Sequence, residues 1–211
     1  MRKTLTAALI AAPLALSAQP FAFDGAWREQ GFPFRPSNDY ALRGGSLGVA
    51  SDGTVSLLWA PVPEARRGAT RAAWSWAVER GVPPTDLSRR GGDDRNLALY
   101  FAFTDAETAR SADASRATRL LRDPATRVLV YVWGGASARG TILPSPYLPG
   151  LRTVILRPAG TGAHAERVDL AADHRRAFGT APGVLLGLGV SADSDDTGEA
   201  IRATISGLEL R

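Results

Sequence analysis

From Ala72 to Glu79 the chain reads Ala-Ala-Trp-Ser-Trp-Ala-Val-Glu, so an extended backbone puts Trp74, Trp76 and Val78 on one face and Ala73, Ser75 and Ala77 on the other. The same period of two recurs in Leu97, Leu99, Phe101 and Phe103, in Val128, Val130 and Val132, and in Val184, Leu186, Leu188 and Val190. Alternation of this kind excludes a helical bundle and requires strands with a buried face. It predicts nine strands: Ser46 to Ala50, Val55 to Trp59, Ala72 to Glu79, Leu97 to Thr104, Arg127 to Trp133, Arg152 to Arg157, Glu166 to Leu170, Val184 to Ser191 and Ile201 to Leu210. Nine strands suffice for two packed sheets, with the four stripes as inner faces and each large buried side chain contributing about 2 kcal/mol. Helical spacing over Ser115 to Arg122, stopped by Asp123-Pro124, predicts one short helix, and Asp173 to Phe178 before Gly179 another turn or two. The expected class is mainly β, a two-sheet antiparallel β-sandwich with one or two short helices. Pro144 to Gly150 is the better of two excursions to serve as a loop over a cleft.

The first residues have the layout of a secretory signal peptide: Arg2 and Lys3, an apolar stretch from Leu5 to Leu16, then the small residues Ala15, Ser17 and Ala18. The apolar stretch falls short of the roughly 20 residues of a permanent span. A leader over residues 1–22 and one domain over 23–211 are expected, in a periplasmic or secreted protein with no permanent membrane span. With no cysteine in the chain, a lipid-anchored amino terminus is excluded and the fold rests on its core and hydrogen bonds, with a metal as a further candidate support. The formal charge of +4 invites a nucleic-acid reading, but Lys3 is the only lysine and the arginines are scattered singly or in pairs such as Arg66-Arg67 and Arg175-Arg176. No basic stripe with interleaved aromatics exists to follow a phosphate backbone, so no nucleic-acid partner is expected.

Two acidic turns are the candidate sites. Ser191 to Glu199 matches the first half of a calcium loop, with Asp193, Asp195 and Thr197 at alternate positions and Gly198 at the bend. The twelfth position from Asp193 is Thr204, so the bidentate glutamate of an EF-hand is absent, and strands replace its helices. A structural Ca²⁺ held by Asp193, Asp195 and Thr197 stands against a plain turn whose aspartates accept backbone N–H groups and pair with arginine, and against direct ligand contact. The second turn is Gly91-Gly92-Asp93-Asp94-Arg95. Asp93 and Asp94 could complete an ion site, or serve as one member of a carboxylate pair for glycoside hydrolysis. The plain alternative is a hairpin turn in which Arg95 neutralises its neighbours. The deciding question is whether the two turns meet, because a lone turn favours that plain reading.

Gly44-Gly45-Ser46-Leu47-Gly48 contains Gly-x-Ser-x-Gly, but a nucleophile elbow needs a strand before the serine and a helix after it, and here a hairpin continues. His164 and His174 are not placed as a general base, and two histidines without cysteine make a poor zinc site. No catalytic residue is assigned. Tyr100, Tyr131 and Trp133 lie opposite the aliphatic stripes of their strands, where they could form a platform for sugar rings. With Asp93, Asp94 and Arg95 they are the expected ligand-binding residues.

Trp74-Ser-Trp76-Ala-Val-Glu, Pro83-Pro84-Thr85-Asp86, Gly91-Gly92-Asp93-Asp94-Arg95, Val130-Tyr-Val132-Trp133 and Asp193-Ser-Asp195-Asp196-Thr197-Gly198, in this order, resemble the bacterial domain-of-unknown-function-3047 family over nearly the whole chain after the leader. The family carries no established activity to transfer. More distantly, the order of elements is similar to jelly-roll sandwiches of the galactose-binding type, which implies a jelly-roll-like fold and a carbohydrate-binding role. The expected function is non-catalytic binding of a carbohydrate or envelope glycan. The alternatives are a glycan-cleaving hydrolase that uses paired aspartates, and a structural envelope protein without a small ligand.

Overall fold

The computed structural model describes residues 20–211, so most of the expected leader lies outside the described residues. Phe21 and Ala22, at the end of that segment, belong to the fold. The Phe21 ring packs edge-on against Trp27 at 5.8 Å, its N–H donates to the Leu208 carbonyl, and the Ala22 carbonyl accepts from Trp27 Nε1 at 2.9 Å.

In chain order the elements are β1 (Arg28–Gly31), β2 (Asp39–Leu42), β3 (Ser46–Asp52), β4 (Val55–Pro61), β5 (Arg71–Arg80), β6 (Arg95–Thr104), α1 (Ala106–Ser111), α2 (Ala117–Arg122), β7 (Arg127–Trp133), β8 (Ile142–Pro144), β9 (Leu151–Arg157), β10 (Gly162–Asp169), α3 (Leu170–Phe178), β11 (Val184–Asp193) and β12 (Ala200–Leu210). A strand forms at each of the nine expected places, but the one expected over Glu166 to Leu170 runs Gly162–Asp169, and Leu170 opens α3. A seven-stranded sheet runs β1-β4-β11-β6-β7-β9-β8, and a five-stranded sheet β10-β5-β12-β3-β2. Every pairing is antiparallel except β7 with β9. The result is the expected two-sheet, jelly-roll-like β-sandwich. Both expected helices are present as α2 and α3. α1 is an addition, started by Asp105, whose carboxylate accepts the N–H groups of Glu107 and Thr108.

The core between the sheets corrects the assignment of faces. Trp74, Trp76 and Val78 do face inward, and so do Leu97, Leu99, Phe101 and Phe103. On β7, however, Leu129, Tyr131 and Trp133 face the five-stranded sheet, while Val128, Val130 and Val132 face the opposite way. The register explains the inversion. Leu99 lies opposite Tyr131 and Phe101 opposite Leu129, and directly paired residues share a face. Tyr131 then packs 5.7 Å from Trp74, and Trp133 5.7 Å from Trp76, ring centre to ring centre. The stripe on β11 is also divided. A register shift against β6 between Leu185 and Gly187 turns Val184 and Leu186 outward, while Leu185, Leu188 and Val190 stay inward.

The outward face of the seven-stranded sheet is itself apolar and partly covered. Leu57, Trp59, Ala98, Tyr100, Val130 and Leu186 pack there beneath Ala114, Ala117 and Leu120 from the segment that carries α1 and α2. Trp59 Nε1 donates to the Ala114 carbonyl at 2.8 Å and so ties that segment to the sheet.

α3 seals one end of the sandwich. Asp169 caps its start, and Gly179, at a φ of 77°, closes it. His174 is 2 % exposed. Its ring lies 5.5 Å from that of Phe103 and 4.8 Å from that of Phe178. Nδ1 lies 2.8 Å from the Thr180 carbonyl and therefore carries the proton, whereas Nε2 is buried without a partner among the described residues. Burial holds the imidazole below its ordinary pKa. The folded state therefore binds this proton less well than the unfolded chain does. Its neutral form contributes fully above about 6.5, and that contribution is lost as pH falls through and below this value. Between pH 7 and pH 5 the melting temperature is expected to fall further in the parent than in His174→Gln; parallel curves would show that His174 is not the group responsible.

Candidate functional site

The two acidic turns meet. β6 and β11 are neighbours, and Arg95 at the start of β6 lies opposite Asp193 at the end of β11. Asp94, immediately before β6, is fully buried. Its carboxylate accepts the N–H of Thr197 at 2.7 Å and that of Asp196 at 3.3 Å, so the first turn caps the second. A strand pairing between segments nearly a hundred residues apart thus creates a cluster whose parts are separately visible in the sequence.

Arg95 is the hub. Its Nη1 donates to Asp193 Oδ2 and to the Asp93 carbonyl, each at 2.9 Å, and lies 3.6 Å from Asp93 Oδ2. Its Nη2 donates to the Tyr100 hydroxyl at 2.8 Å. Burial alone would disfavour the charge, but Tyr100, Asp193 and Asp93 hold the guanidinium protonated beyond its usual range. Burial pushes the Asp193 carboxyl up to about 9 against the pull of Arg95, and the neighbouring Asp195 and Asp93 act in the same direction. Asp195 is held from the β1–β2 loop, where Arg35 Nη1 reaches its Oδ2 at 2.7 Å. Asp196 is also raised, by burial and by the carboxylates around it.

This cluster forms one wall of a cleft of about 870 Å³ on the outward face of the seven-stranded sheet. Leu57, Tyr100, Val130 and Thr153 make its floor, one residue from each of four strands. The β1–β2 loop, α2 and the loop of residues 145–148 surround it. The last of these is the excursion expected to cover a cleft. Tyr147 stands there 47 % exposed, its hydroxyl donating to Asp93 Oδ1 at 2.9 Å and its ring 5.1 Å from the Arg90 guanidinium. Arg90 Nε also donates to the Pro146 carbonyl at 2.8 Å, which fastens the loop to the first acidic turn. Phe32, in the β1–β2 loop, also lines the cleft. Phe34, two residues further on, is fully exposed, at a φ of 62° that non-glycine residues seldom adopt.

Of the expected ligand-binding residues, Asp93, Arg95 and Tyr100 line the cleft, and Asp94 lies behind it as the cap of the second turn. Tyr131 and Trp133 do not. Both are buried between the sheets, with the Tyr131 hydroxyl donating to Asp173 Oδ2 at 2.8 Å, so the sugar platform expected from them is corrected. The aromatic groups that do reach the cleft are Tyr100, Tyr147 and Phe32. Tyr147 and Phe32 sit in loops, where alternation gives no signal. Of the expected calcium ligands, Asp193 and Asp195 line the cleft. Thr197 spends its N–H on Asp94, and its hydroxyl accepts from the Glu199 N–H at 3.4 Å. Single oxygens of Asp94, Asp193 and Asp195 lie within 4.8 Å of one another.

A family described as a protein of unknown function (DUF3047) matches residues 25–209. The chain belongs to that family. No curated protein matches this DUF3047 chain. Among solved structures, the xyloglucanase domain of NopAA, a type three effector from Sinorhizobium fredii, in complex with cellobiose, superimposes with a TM-score of 0.50 at 9 % identity, over 92 % of this chain and 95 % of that one. The catalytic domain of Humicola grisea Cel12A, with a soaked thio cellotetraose, gives a TM-score of 0.46 at 12 % identity, over 91 % and 98 %. What the DUF3047 chain shares with the NopAA domain is the fold.

Proposed function

We propose that this protein binds an extended carbohydrate in the cleft on the outward face of its seven-stranded sheet, without catalysis of its own, and that it does so after export to the periplasm or beyond. The observation that carries this reading is the lining of the cleft. Tyr100, Tyr147 and Phe32 offer aromatic surface, and beside them Asp93 and Asp195 offer charged hydrogen-bonding groups. Sugars call for this combination, because their C–H faces stack on rings while their hydroxyls take donors and acceptors at the edge. The NopAA domain, solved with cellobiose, has the same fold. Fold alone does not transmit a ligand, so the reading rests on the cleft. Among the described residues no helix is long and apolar enough to cross a membrane.

A panel of immobilised plant and bacterial glycans, followed by titration of the best ligand, tests the reading. Tyr147→Ala is expected to weaken binding about tenfold, or ~1.4 kcal/mol, through loss of an aromatic contact. Tyr147→Phe, which keeps the ring, is expected to retain most of the affinity. Flat binding across the panel would remove the carbohydrate reading and leave that of a structural envelope protein. A glycan-cleaving hydrolase is the second reading, favoured by the convergence of Asp93 and Asp193 on one nitrogen of Arg95 in the cleft wall. Reducing-sugar release from the same panel, abolished by Asp193→Asn, would replace the non-catalytic reading with this one.

A further inference from the structure

We propose that Asp94, Asp193 and Asp195 bind a divalent cation, of calcium's size and hardness, where the two acidic turns join at the cleft wall. Oxygens from the three carboxylates lie within 4.8 Å of one another, a span that one ion bridges at metal–oxygen distances of about 2.4 Å. All three donors are oxygens, which suits calcium and not a nitrogen- or sulfur-seeking metal.

A second observation, separate from the clustering, points to a missing partner. Asp193 is 6 % exposed, and its Oδ1 is buried with no hydrogen-bond partner among the described residues, while Oδ2 is taken by Arg95. Buried carboxylate oxygens are rarely left bare, because they lose water without replacing it. Among the described residues no N–H fills the place: Arg95 Nη1 and Nη2 are taken by Tyr100, Ser191, Asp93 and Asp193 Oδ2, and Arg35 pairs with Asp195. The side chain beside Asp193 is instead Asp195, another acceptor. Asp94 and Asp196 add further negative charge and form no ion pair with arginine among the described residues. An ion between Asp193 and Asp195 satisfies the bare oxygen and offsets the excess charge together. Asp94 already accepts two backbone N–H groups and keeps lone pairs for the ion.

The ligands come from two strand ends far apart in sequence, so this arrangement is not the single-loop site that Asp193, Asp195 and Thr197 suggest. Bound there, the ion would fix the β11–β12 turn against the segment before β6. The inference does not depend on the carbohydrate reading, and its test needs no glycan.

The full exported chain, stripped with EDTA and dialysed, is melted with and without millimolar calcium. Calcium is expected to raise the melting temperature by about 2–4 °C or more. Asp193→Asn and Asp195→Asn are expected to lose that rise, and Glu64→Gln, on an exposed turn remote in sequence from both loops, to keep it. Terbium luminescence in the unaltered chain, titrated and then displaced with calcium, gives an answer that does not depend on the variants folding. Saturable emission that calcium displaces supports the site. Absence of both the shift and the emission overturns it, as does a calcium shift that survives in the Asp193→Asn, Asp195→Asn double variant. A raised melting temperature of Asp193→Asn with no response of the parent to calcium also overturns it, and assigns the bare oxygen to a proton shared between Asp193 and Asp195.

Discussion

Arg95→Met, melted in EDTA at pH 7, is expected to lose about 3 kcal/mol, a fall of roughly 6–12 °C in melting temperature for a domain of this size. Among the described residues, the guanidinium alone joins the Asp93 carbonyl, the Asp193 carboxyl and the Tyr100 hydroxyl. Methionine fills much of the volume, so the loss measures these bonds and not a cavity. Arg95→Lys is expected to recover little, because one ammonium cannot reach acceptors that a planar fork spans. Asp193→Asn separates the partners. The Asp193 carboxyl is raised in the fold from 3.8 to about 9, so the stability contributed by its protonated form is complete below the lower value and is lost as pH rises toward the upper one. Asparagine copies the protonated form. The variant is therefore expected to lose less than Arg95→Met at pH 7 and to flatten the decline between pH 5 and pH 9. Equal losses in Arg95→Met and Asp193→Asn, with unchanged pH dependence, would show that the pair acts as a simple ion pair.

The strands were legible because alternation is a local property, and a strand forms at each of the nine expected places. Their faces were less so. β6 and β7 are buried on both sides, and there a period of two separates the faces without saying which is inner. Bulk decides instead: the ring of Tyr131 fits beside Trp74 between the sheets, and the smaller valines of β7 fit beneath the α1–α2 segment. On β11 the register shift at Gly187 breaks the period inside one strand. The short strands β1, β2 and β8 leave no readable alternation, because three or four residues carry too little pattern. Both halves of the acidic cluster were visible as turns rich in aspartate, but their meeting follows from the β6–β11 pairing, and no local signal encodes it. Tyr147 was hidden for a related reason. Its loop was recognisable from its prolines and glycine, whereas its bond to Asp93 depends on where that loop folds back.

Gly187→Ala is expected to destabilise the fold by about 2–3 kcal/mol, because a single added carbon would overpack a site with no room to yield. A Cβ at Gly187 would land on the six-membered ring of Trp59, which is 1 % exposed. That ring cannot swing aside without giving up the bond from its Nε1 to the Ala114 carbonyl. The damage therefore spreads beyond the strand. Trp59 holds the segment that carries α1 and α2, and α2 supplies Thr118, Leu121 and Arg122 to the cleft. Amide hydrogen exchange across residues 106–122 is expected to quicken in Gly187→Ala more than exchange in β5 or β12, and glycan affinity is expected to fall with it. Gly25→Ala, where an added carbon meets nothing within 4 Å, should stay close to the parent. Gly189→Ala should fall between the two, since its nearest obstacle is a methyl group of Leu57 that can rotate. Pairing Gly187→Ala with Trp59→Leu makes room for the new carbon but removes the anchor at Ala114. That double variant is expected to regain part of the melting temperature while its α1–α2 exchange stays fast. Full recovery of both would mean that Trp59 fills space without holding the segment.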